Sequence, residues 1–339
     1  MALLNLALVL KKMDKRPVII SPLQGELSQT AQELAIMTVV DPFLEFKLYM
    51  KDAALFDLLN NCEAILFNTL DNLHFSLYTQ DVKVRQMGWI HEAASSYNSK
   101  FIGIIEESLR TLNELYVVGP YAKAIAAQHM PAGKPLQSLL YGCADIDLQP
   151  HGSTAQDKIK IIVIGTIDER KGMHLLNDIV NHLSKEAQHR IEIIVIGKPV
   201  CPSIARSLRN SRHECLHYLG QLPHKEVIRH LNDSDILLCP SLDDPMPIVC
   251  TEAMILRKVV IVSDHTGTAS LLTDGINGFI IPANSPQAAA DSIEDVLDKR
   301  NQYCQIGDEA RKTYEKFFTM RTFEQNVREI FSRPYPSIK

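Results

Sequence analysis

The chain has 339 residues, of which 46% are hydrophobic and 22% are charged, and its formal net charge at pH 7 is -5. Because typical domains run to about 100–200 residues, this length predicts two domains. The small net negative charge gives no overall attraction to nucleic acid or to anionic lipid, so a nucleic-acid partner is not expected.

The seven cysteines are an odd number without a C-x-x-C pair, and most stand inside apolar runs. They predict reduced thiols in a cytoplasmic protein. The opening MALLNLALVLKK lacks the features of a secretion signal and is shorter than the roughly 18 apolar residues that cross a bilayer. Two interpretations of the basic segment VLKKMDKR stay open: a peripheral contact with the inner face of a membrane, and a solvated helix end.

Helical spacing in ALLNLALVLKKMDK predicts a helix at the start of the chain, and RPVIISP predicts a short buried strand. Further strands are predicted at 64–69, 84–91, 113–119 and 137–142. Helix-like segments such as KFIGIIEESLRTL separate them, and this alternation predicts parallel strands. The polar run QPHGSTAQDK at 149–158 predicts a linker between domains at 1–150 and 151–320.

Beyond the linker the alternation restarts. Strands are predicted at 159–166, 190–197, 216–220, 235–241, 258–264 and 278–283, with helices at about 172–185 and 248–257. Their near-continuous Ile and Val predict a sheet covered on both faces. From about 286 the chain is helical, and the stripe in YEKFFTMRTFEQNVREIF predicts that the last segment, 321–339, either crosses back to the first domain or docks on its own.

Three motifs follow predicted strands, where open parallel sheets bind ligands. In IGTIDERKGMHLL, Lys171 at a helix start could meet a phosphate, and a solvated basic pair is the alternative. In IIVIGKP, Gly197 could let a ligand approach the backbone, and a plain turn is the alternative.

The third motif, SLDDPMPIVCTEAM, contains two spaced acids, Asp244 and Glu252. Pro245 and Pro247 prevent a helix before about residue 248, which places Glu252 roughly one turn inside the following helix. The two carboxylates could then face one pocket as an acid and a base, as metal ligands or as acceptors for sugar hydroxyls. Metal binding has the least support, since no further ligand side chains cluster nearby. The alternative is a capping acid and an exposed helical Glu.

The order of these motifs from 159 to 331 resembles the carboxyl-terminal half of a GT-B glycosyltransferase, in the family 4 group of retaining enzymes (glycosyl transferases group 1). The resemblance implies an α/β fold with two Rossmann-like domains facing a cleft. It also implies transfer of a sugar from a UDP-, GDP- or ADP-sugar to a hydroxyl acceptor, which could be a lipid-linked glycan, a protein-linked glycan or a polysaccharide. Neither a metal nor a cofactor is implied.

The resemblance also implies roles for single residues. Lys171 would neutralise the donor diphosphate, Asp244 would lie near the donor sugar, and Glu252 would hold the ribose. The other implied donor-binding residues are Thr166, Gly197, Lys198, Gly220, Pro245, Met246, Pro247, Ile248 and Val249. Three positions depart from the family pattern: Thr166 replaces a common Arg, Asp244 replaces a usual Glu, and Pro247 replaces a frequent Gly.

The amino-terminal half resembles the family through MGWIHEAASSY and NELYVVGPYAKAIAA. His91 would stand beside the reacting sugar, and Glu92 would orient it or face the acceptor. Relatives begin with a strand and a glycine-rich turn that are missing here, so we expect a domain without its first strand, and an inactive protein if the start is truly truncated. Two other functions stay open, a non-catalytic relative that binds a nucleotide sugar or a partner subunit, and a nucleotide-sugar 2-epimerase. The oligomeric state is not indicated.

Overall fold

A computed structural model of the chain describes residues 2–42, 44, 53–97, 101–131, 133–148, 158–299 and 303–333. The chain divides into a first unit, Met1–Cys143 with Phe318–Lys339, and a second unit, Ala144–Phe317. Most of the predicted linker, residues 149–157, lies outside the described residues.

The strands of the first unit are all parallel and form two sheets within the described residues. They are β1 (Val18–Ser21), β2 (Met37–Val40), β3 (Ala64–Asn68), β4 (Arg85–Ile90), β5 (Glu114–Val117) and β6 (Leu136–Ser138). One sheet pairs β1 with β2, and the other has the order β3-β4-β5-β6. Strand β2 was not predicted, and the strand predicted at 137–142 is shorter and ends at Ser138; beyond it, Gly142 lies against Phe323.

The helices of the first unit begin, as predicted, at the start of the chain. Within the described residues they are α1 (Ala2–Lys12), α2 (Glu26–Glu33), α3 (Ala53–Asn60), α4 (Ala94–Tyr97), α5 (Ile102–Thr111) and α6 (Pro120–Ala126). Residues Leu70–Leu77 form a 3-10 helix between β3 and β4.

Three basic residues in the last turn of α1 and just after it contact other parts of the first unit. Lys11 donates to the carbonyl oxygens of Leu34 and Ala35, both at 2.9 Å. Lys12 pairs with Glu324 at 3.3 Å, and Lys15 pairs with Glu63. Three of the side chains that suggested a membrane contact are therefore engaged by protein groups. Among the helices of the described ranges, none combines the length and the apolar character needed to cross a bilayer.

The second unit is built on one parallel sheet, as predicted. Its strands are β7 (Ile159–Ile164), β8 (Ile191–Ile196), β9 (Leu216–Gly220), β10 (Ile236–Cys239), β11 (Val259–Ser263) and β12 (Phe279–Ile281). Every residue of β10 and β11 is buried, which is typical of a sheet with helices on both faces. The order is β12-β11-β10-β7-β8-β9, so the strand order reverses between β7 and β10. Such a reversal is where parallel sheets bind ligands.

The helices of the second unit cover this sheet. They are α7 (Leu176–His182), α8 (Lys185–Arg190), α9 (Pro202–Arg209), α10 (His224–Asn232), α11 (Ile248–Ile255), α12 (Pro286–Asp298) and α13 (Tyr303–Phe317). The single helix predicted at about 172–185 is wrong. A 3-10 turn at Met173–Leu175 leads into α7, Leu183 is extended, and Ser184 starts α8 by accepting from the Ala187 amide at 3.2 Å.

The last helix, α14 (Met320–Ser332), packs with the first unit. Phe323 is buried, and its ring stacks on Trp89 with centroids 6.0 Å apart. Arg85 on β4 donates to the Ile330 carbonyl oxygen at 3.0 Å, and its guanidinium lies 5.6 Å from the Phe331 ring centroid. The aromatic stripe of the terminal segment is therefore used to bury this helix against the first unit.

Candidate functional site

Two loops meet where the strand order of the second unit reverses. One follows β7 and carries Lys171, and the other follows β10 and carries Asp244. Strands β7 and β10 are hydrogen-bonded neighbours, so their carboxyl ends place the two loops side by side. The Leu242 amide donates to the Arg170 carbonyl oxygen at 2.8 Å, and Arg170 Nη1 donates to the Asp243 carbonyl oxygen at 3.0 Å. The loops are thus joined in both directions.

The structure brings the predicted Lys171 and Asp244 together as an ion pair between Nζ and Oδ2. Asp244 is only 4% exposed, and 19% of the Lys171 side chain is exposed. The Asp244 amide donates to the His265 carbonyl oxygen at 3.1 Å, and the Asp244 carbonyl accepts from Gly267 at 2.8 Å. This carboxylate is therefore held on a fixed backbone, and it compensates the charge of a lysine with little access to water. A solvated basic pair, the alternative for Lys171, is not what the structure has.

Thr166 is fixed within the loop after β7. Its Oγ1 donates to Asp168 Oδ2 at 2.6 Å, while Asp168 Oδ1 accepts from the Lys171 amide at 2.8 Å. The carboxylate of Asp168 therefore closes a turn within the loop and fixes the main chain of Lys171. The hydroxyl proton of Thr166, a predicted donor-binding residue, is used for this turn.

Glycine is required at Gly172 and Gly197 by contacts inside the protein. Gly172 has φ +69°, and a Cβ there would lie 2.0 Å from the Pro240 carbonyl oxygen, which belongs to the loop after β10. A Cβ on Gly197 would lie 1.7 Å from the Gly165 carbonyl oxygen. Within the protein, the group that approaches the Gly197 backbone is the neighbouring strand end, and a role of Gly197 in donor binding stays a prediction.

The remaining predicted residues on this side of the sheet are less constrained. Lys198 is exposed, and its carbonyl oxygen accepts from the Ile167 amide at 2.9 Å. Gly220 has φ +81° and open space around its Cα, with its carbonyl oxygen accepting from the Gly197 amide at 2.8 Å. These bonds tie the ends of β7, β8 and β9 together.

Helix α11 begins at Ile248, as the two prolines predicted, with Pro247 as its extended N-terminal cap. Met246 is buried, Val249 is half-buried and Ile248 is exposed. Pro245 packs so closely on Gly267 that a Cβ on this glycine would lie 1.7 Å from the Pro245 carbonyl oxygen. The loop therefore leads from Asp244 to the start of α11, where the first N–H groups of a helix have no carbonyl partner inside it.

Glu252 lies one turn inside α11 and is only 8% exposed, so the alternative of an exposed helical Glu is wrong. Its Oε1 lies 2.8 Å from Nε2 of His224, the first residue of α10. Burial raises the pKa of Glu252, and the hydrogen bond from His224 opposes this rise. The structure pairs Glu252 with His224, whereas Asp244 is paired with Lys171.

The predicted residues of the first unit lie at the end of β4. His91 Nε2 lies 3.0 Å from Asn68 Oδ1, which is an acceptor, so Nε2 carries the proton. The imidazole also packs against Trp89 with centroids 4.4 Å apart. Burial lowers the pKa of His91 from 6.5 to about 4, so the ring is neutral near pH 7.

Glu92 holds the ends of two strands together. Its Oε2 accepts from the Leu70 amide at 2.8 Å and from the His91 amide at 2.9 Å. Burial raises the pKa of Glu92, and these backbone bonds lower it. Glu92 therefore fixes the main chain of His91, and the expectation that it orients the imidazole directly is not what these contacts show.

The neutral state of His91 makes a prediction about acid stability. The unfolded chain takes up a proton on His91 below pH 6.5, while the folded chain does so only near pH 4, so stability falls as the pH drops through this window. We expect the free energy of unfolding at pH 4, relative to pH 7, to fall by about 3 kcal/mol more in the wild type than in His91→Gln. Urea unfolding at both pH values measures this difference, and equal losses in the two proteins would contradict it.

The sequence did not reveal Arg170, Asp168, His224 or Gly267 as members of the site. Arg170 and Asp168 lie next to the predicted Lys171. The charged loop at the end of a predicted strand was the feature that could have indicated them. His224 follows the end of β9 and begins a helix, which is a weak signal. Among the described residues, no three His, Cys, Asp or Glu side chains are grouped so that they could hold a metal ion.

The family model that matches this chain covers most of the second unit, Ala144–Phe317. Residues 146–313 match the family model described as Glycosyl transferases group 1. The chain is 22% identical over 180 residues to an uncharacterized glycosyltransferase of Methanocaldococcus jannaschii, covering 52% of this chain and 46% of that protein. It is 28% identical over 162 residues to the phosphatidyl-myo-inositol mannosyltransferase of Mycobacterium leprae, covering 46% of this chain and 42% of that protein. The aligned segments thus span less than half the length of either relative.

Solved structures are similar over nearly the whole chain. HepE of Anabaena in complex with UDP has a TM-score of 0.80 at 15% identity, covering 97% of this chain and 96% of that one. At this identity the likeness shows the fold alone, and it confirms a GT-B fold made of two Rossmann-like domains. Through residues 146–313, the chain is similar to the glycosyl transferases group 1 family.

Proposed function

We propose that the protein is a retaining glycosyltransferase that moves a sugar, such as a hexose, from a nucleoside diphosphate sugar to a hydroxyl acceptor without a metal ion. The observation that carries this proposal is the mostly buried ammonium of Lys171, held by Asp244 where β7 and β10 end. A cation at this point of a parallel sheet, next to the start of helix α11, suits an anionic ligand.

The chemistry follows from the charge that develops on the leaving diphosphate. As the bond between the sugar and the diphosphate lengthens, negative charge grows on the phosphate oxygens. Lys171 and the first N–H groups of α11 stabilise that charge, because the loops around Gly172 and Pro245 hold their main chain in place. Without a donor, Lys171 is ion-paired with Asp244. The donor diphosphate must therefore replace Asp244 in part of this ion pair.

The carboxylates accept hydrogen bonds from hydroxyl groups of the donor. In this proposal Asp244 contacts the sugar and Glu252 contacts the ribose. If His91 takes part, it does so as a hydrogen-bonding group and not as a charged one, since the ring is neutral with its proton on Nε2. Of the three departures from the family pattern, Thr166 leaves less positive charge for the diphosphate and Pro247 leaves one fewer backbone donor. The third, Asp244, has a carboxylate one methylene shorter than the usual Glu.

The donor and the acceptor are part of the same proposal. Of the UDP-, GDP- and ADP-sugars, a UDP-sugar is the first to test, since similar structures are complexes with UDP and with UDP-glucose. A lipid-linked glycan or a polysaccharide is the proposed acceptor class, in the cytoplasm. Contact with the inner face of a membrane has no support from Lys11, Lys12 and Lys15, which are bonded within the first unit.

The test is a ligand screen followed by a turnover assay. A ligand at about 100 times its dissociation constant stabilises the folded state by about 2.7 kcal/mol, so the matching nucleoside diphosphate and its sugar raise the melting temperature. Release of the nucleoside diphosphate, with the anomeric configuration of the product read by NMR, then measures transfer with retention. Binding without turnover would favour the non-catalytic relative, and inversion of the donor sugar at C2 would favour the epimerase. Failure of all the nucleotides to bind would overturn the proposal.

A further inference from the structure

His224 and Glu252 form a pair in which one partner is exposed and the other is buried. His224 is the first residue of α10, and 69% of its side chain is exposed. Glu252 is only 8% exposed, and its Oε1 lies 2.8 Å from His224 Nε2. The imidazole therefore stands at the surface, over a carboxylate that has little other contact with water.

The hydrogen bond fixes the carboxylate in two ways. It holds the plane of the Glu252 carboxyl group, because Oε1 is tied to a ring whose helix starts at a defined point after β9. It also favours the ionised form of Glu252, since burial raises the pKa of this group and the bond from His224 lowers it. An ionised, oriented carboxylate accepts hydrogen bonds from hydroxyl groups more strongly than a neutral or freely turning one.

We propose that His224 is a positioning residue for the nucleoside part of the donor: by holding Glu252 Oε1, it presents the Glu252 carboxylate to the ribose hydroxyl groups. This inference rests on the proposed function, in which Glu252 contacts the ribose. The consequence is selectivity for ribonucleotides over their 2′-deoxy counterparts, because a carboxylate arranged for hydroxyl groups is left with an unpaired acceptor when one is absent. The distances support a direct contact of His224 with Glu252, and the donor is reached through Glu252.

The test measures a ratio of affinities, which a general loss of folding does not change. The dissociation constants of UDP and 2′-deoxy-UDP, with ADP and GDP and their 2′-deoxy forms in parallel, are measured by calorimetry for the wild type and His224→Ala. A hydrogen bond to a charged group corresponds to at least about a tenfold difference, so we expect the wild type to prefer the ribonucleotide by about tenfold. We expect His224→Ala to reduce this preference to about twofold or less.

Three variants sharpen the test. His224→Gln, whose amide can still donate to Glu252, is expected to keep most of the preference. Glu252→Gln is expected to lose it. Lys225→Ala, which removes an exposed charge on the same turn of α10, is expected to change the affinity for both nucleotides equally and to leave the ratio intact. Because His224 is largely exposed, the melting temperature of His224→Ala is expected to stay close to that of the wild type.

The outcomes separate this inference from the proposed function. A wild type that prefers the ribonucleotide, with the same preference in His224→Ala, would overturn the role of His224 and leave the proposed function standing. Equal affinity of the wild type for both forms would also overturn it, because Glu252 would then not contact the ribose. If the wild type binds none of the nucleotides, the proposed function fails, and the inference fails with it.

Discussion

Replacing Lys171 with methionine is expected to lower kcat/KM for the sugar donor by about 100- to 1,000-fold, the usual effect of removing one group that stabilises a developing anion. The same change leaves Asp244 buried without its cation. Breaking a buried pair on one side costs about 3–5 kcal/mol, and we expect the lower end because part of Lys171 is exposed. Urea unfolding measures the stability, and release of nucleoside diphosphate measures the turnover.

The matched control for Lys171 is Lys299, which pairs with Asp295 on the exposed face of α12. Lys299→Met removes the same charge from an i,i+4 surface pair and is expected to cost about 0.5 kcal/mol or less, with unchanged turnover. A Lys171→Met protein with wild-type affinity for nucleoside diphosphate would show that this lysine does not face the donor phosphates.

The double variant Lys171→Met, Asp244→Asn tests whether the pair acts as one unit. Removing both charges avoids the lone buried carboxylate, so the double variant is expected to be more stable than the sum of the single effects predicts, by at least about 1 kcal/mol. Its turnover is expected to stay low, because the cation is still missing. The difference between recovered stability and lost turnover separates the structural use of Lys171 from its use on the donor.

The strands of the second unit could be predicted from sequence because their burial on both faces leaves long runs of Ile and Val. Strand β2 was missed for the opposite reason: Met37–Val40 is short, and its first residue is exposed. The prediction of one helix at 172–185 was wrong because Leu183 fits the helical spacing of apolar residues. In the structure the Leu183 backbone is extended, and Ser184 starts a new helix.

The site shows a similar division between local and long-range information. Lys171 and Asp244 could each be picked out, since each follows a predicted strand. Their contact depends on β7 lying next to β10, and the order of strands in a sheet is not encoded in any one segment. The pairing of His224 with Glu252 and the packing of Gly197 on Gly165 join positions 28 and 32 residues apart, so neither is visible in local sequence.

Among the cations that the structure describes in the first unit, Arg85 is expected to have a large structural effect. It is 6% exposed, and it donates to both oxygens of Glu114, at 2.6 and 2.7 Å, as well as to the Ile330 carbonyl oxygen on α14. Burial alone would raise the pKa of Glu114, but the hydrogen bonds from Arg85 and Tyr116 bring it below its ordinary value. One guanidinium thus connects β4, β5 and the terminal helix.

Replacing Arg85 with methionine is expected to destabilise the protein by about 3 kcal/mol, because Glu114 loses its cation and two of its hydrogen bonds, and the Ile330 carbonyl oxygen loses the Arg85 donor. Arg85→Lys is expected to recover only part of this loss, since an ammonium cannot make the bidentate contact. Arg328→Met, which removes an exposed pair with Glu324 on the same helix, serves as the control and is expected to cost about 0.5 kcal/mol or less. Urea unfolding measures each stability, and limited proteolysis reports whether α14 is released first. Equal losses in Arg85→Met and Arg328→Met would show that α14 is held by its aromatic side chains alone.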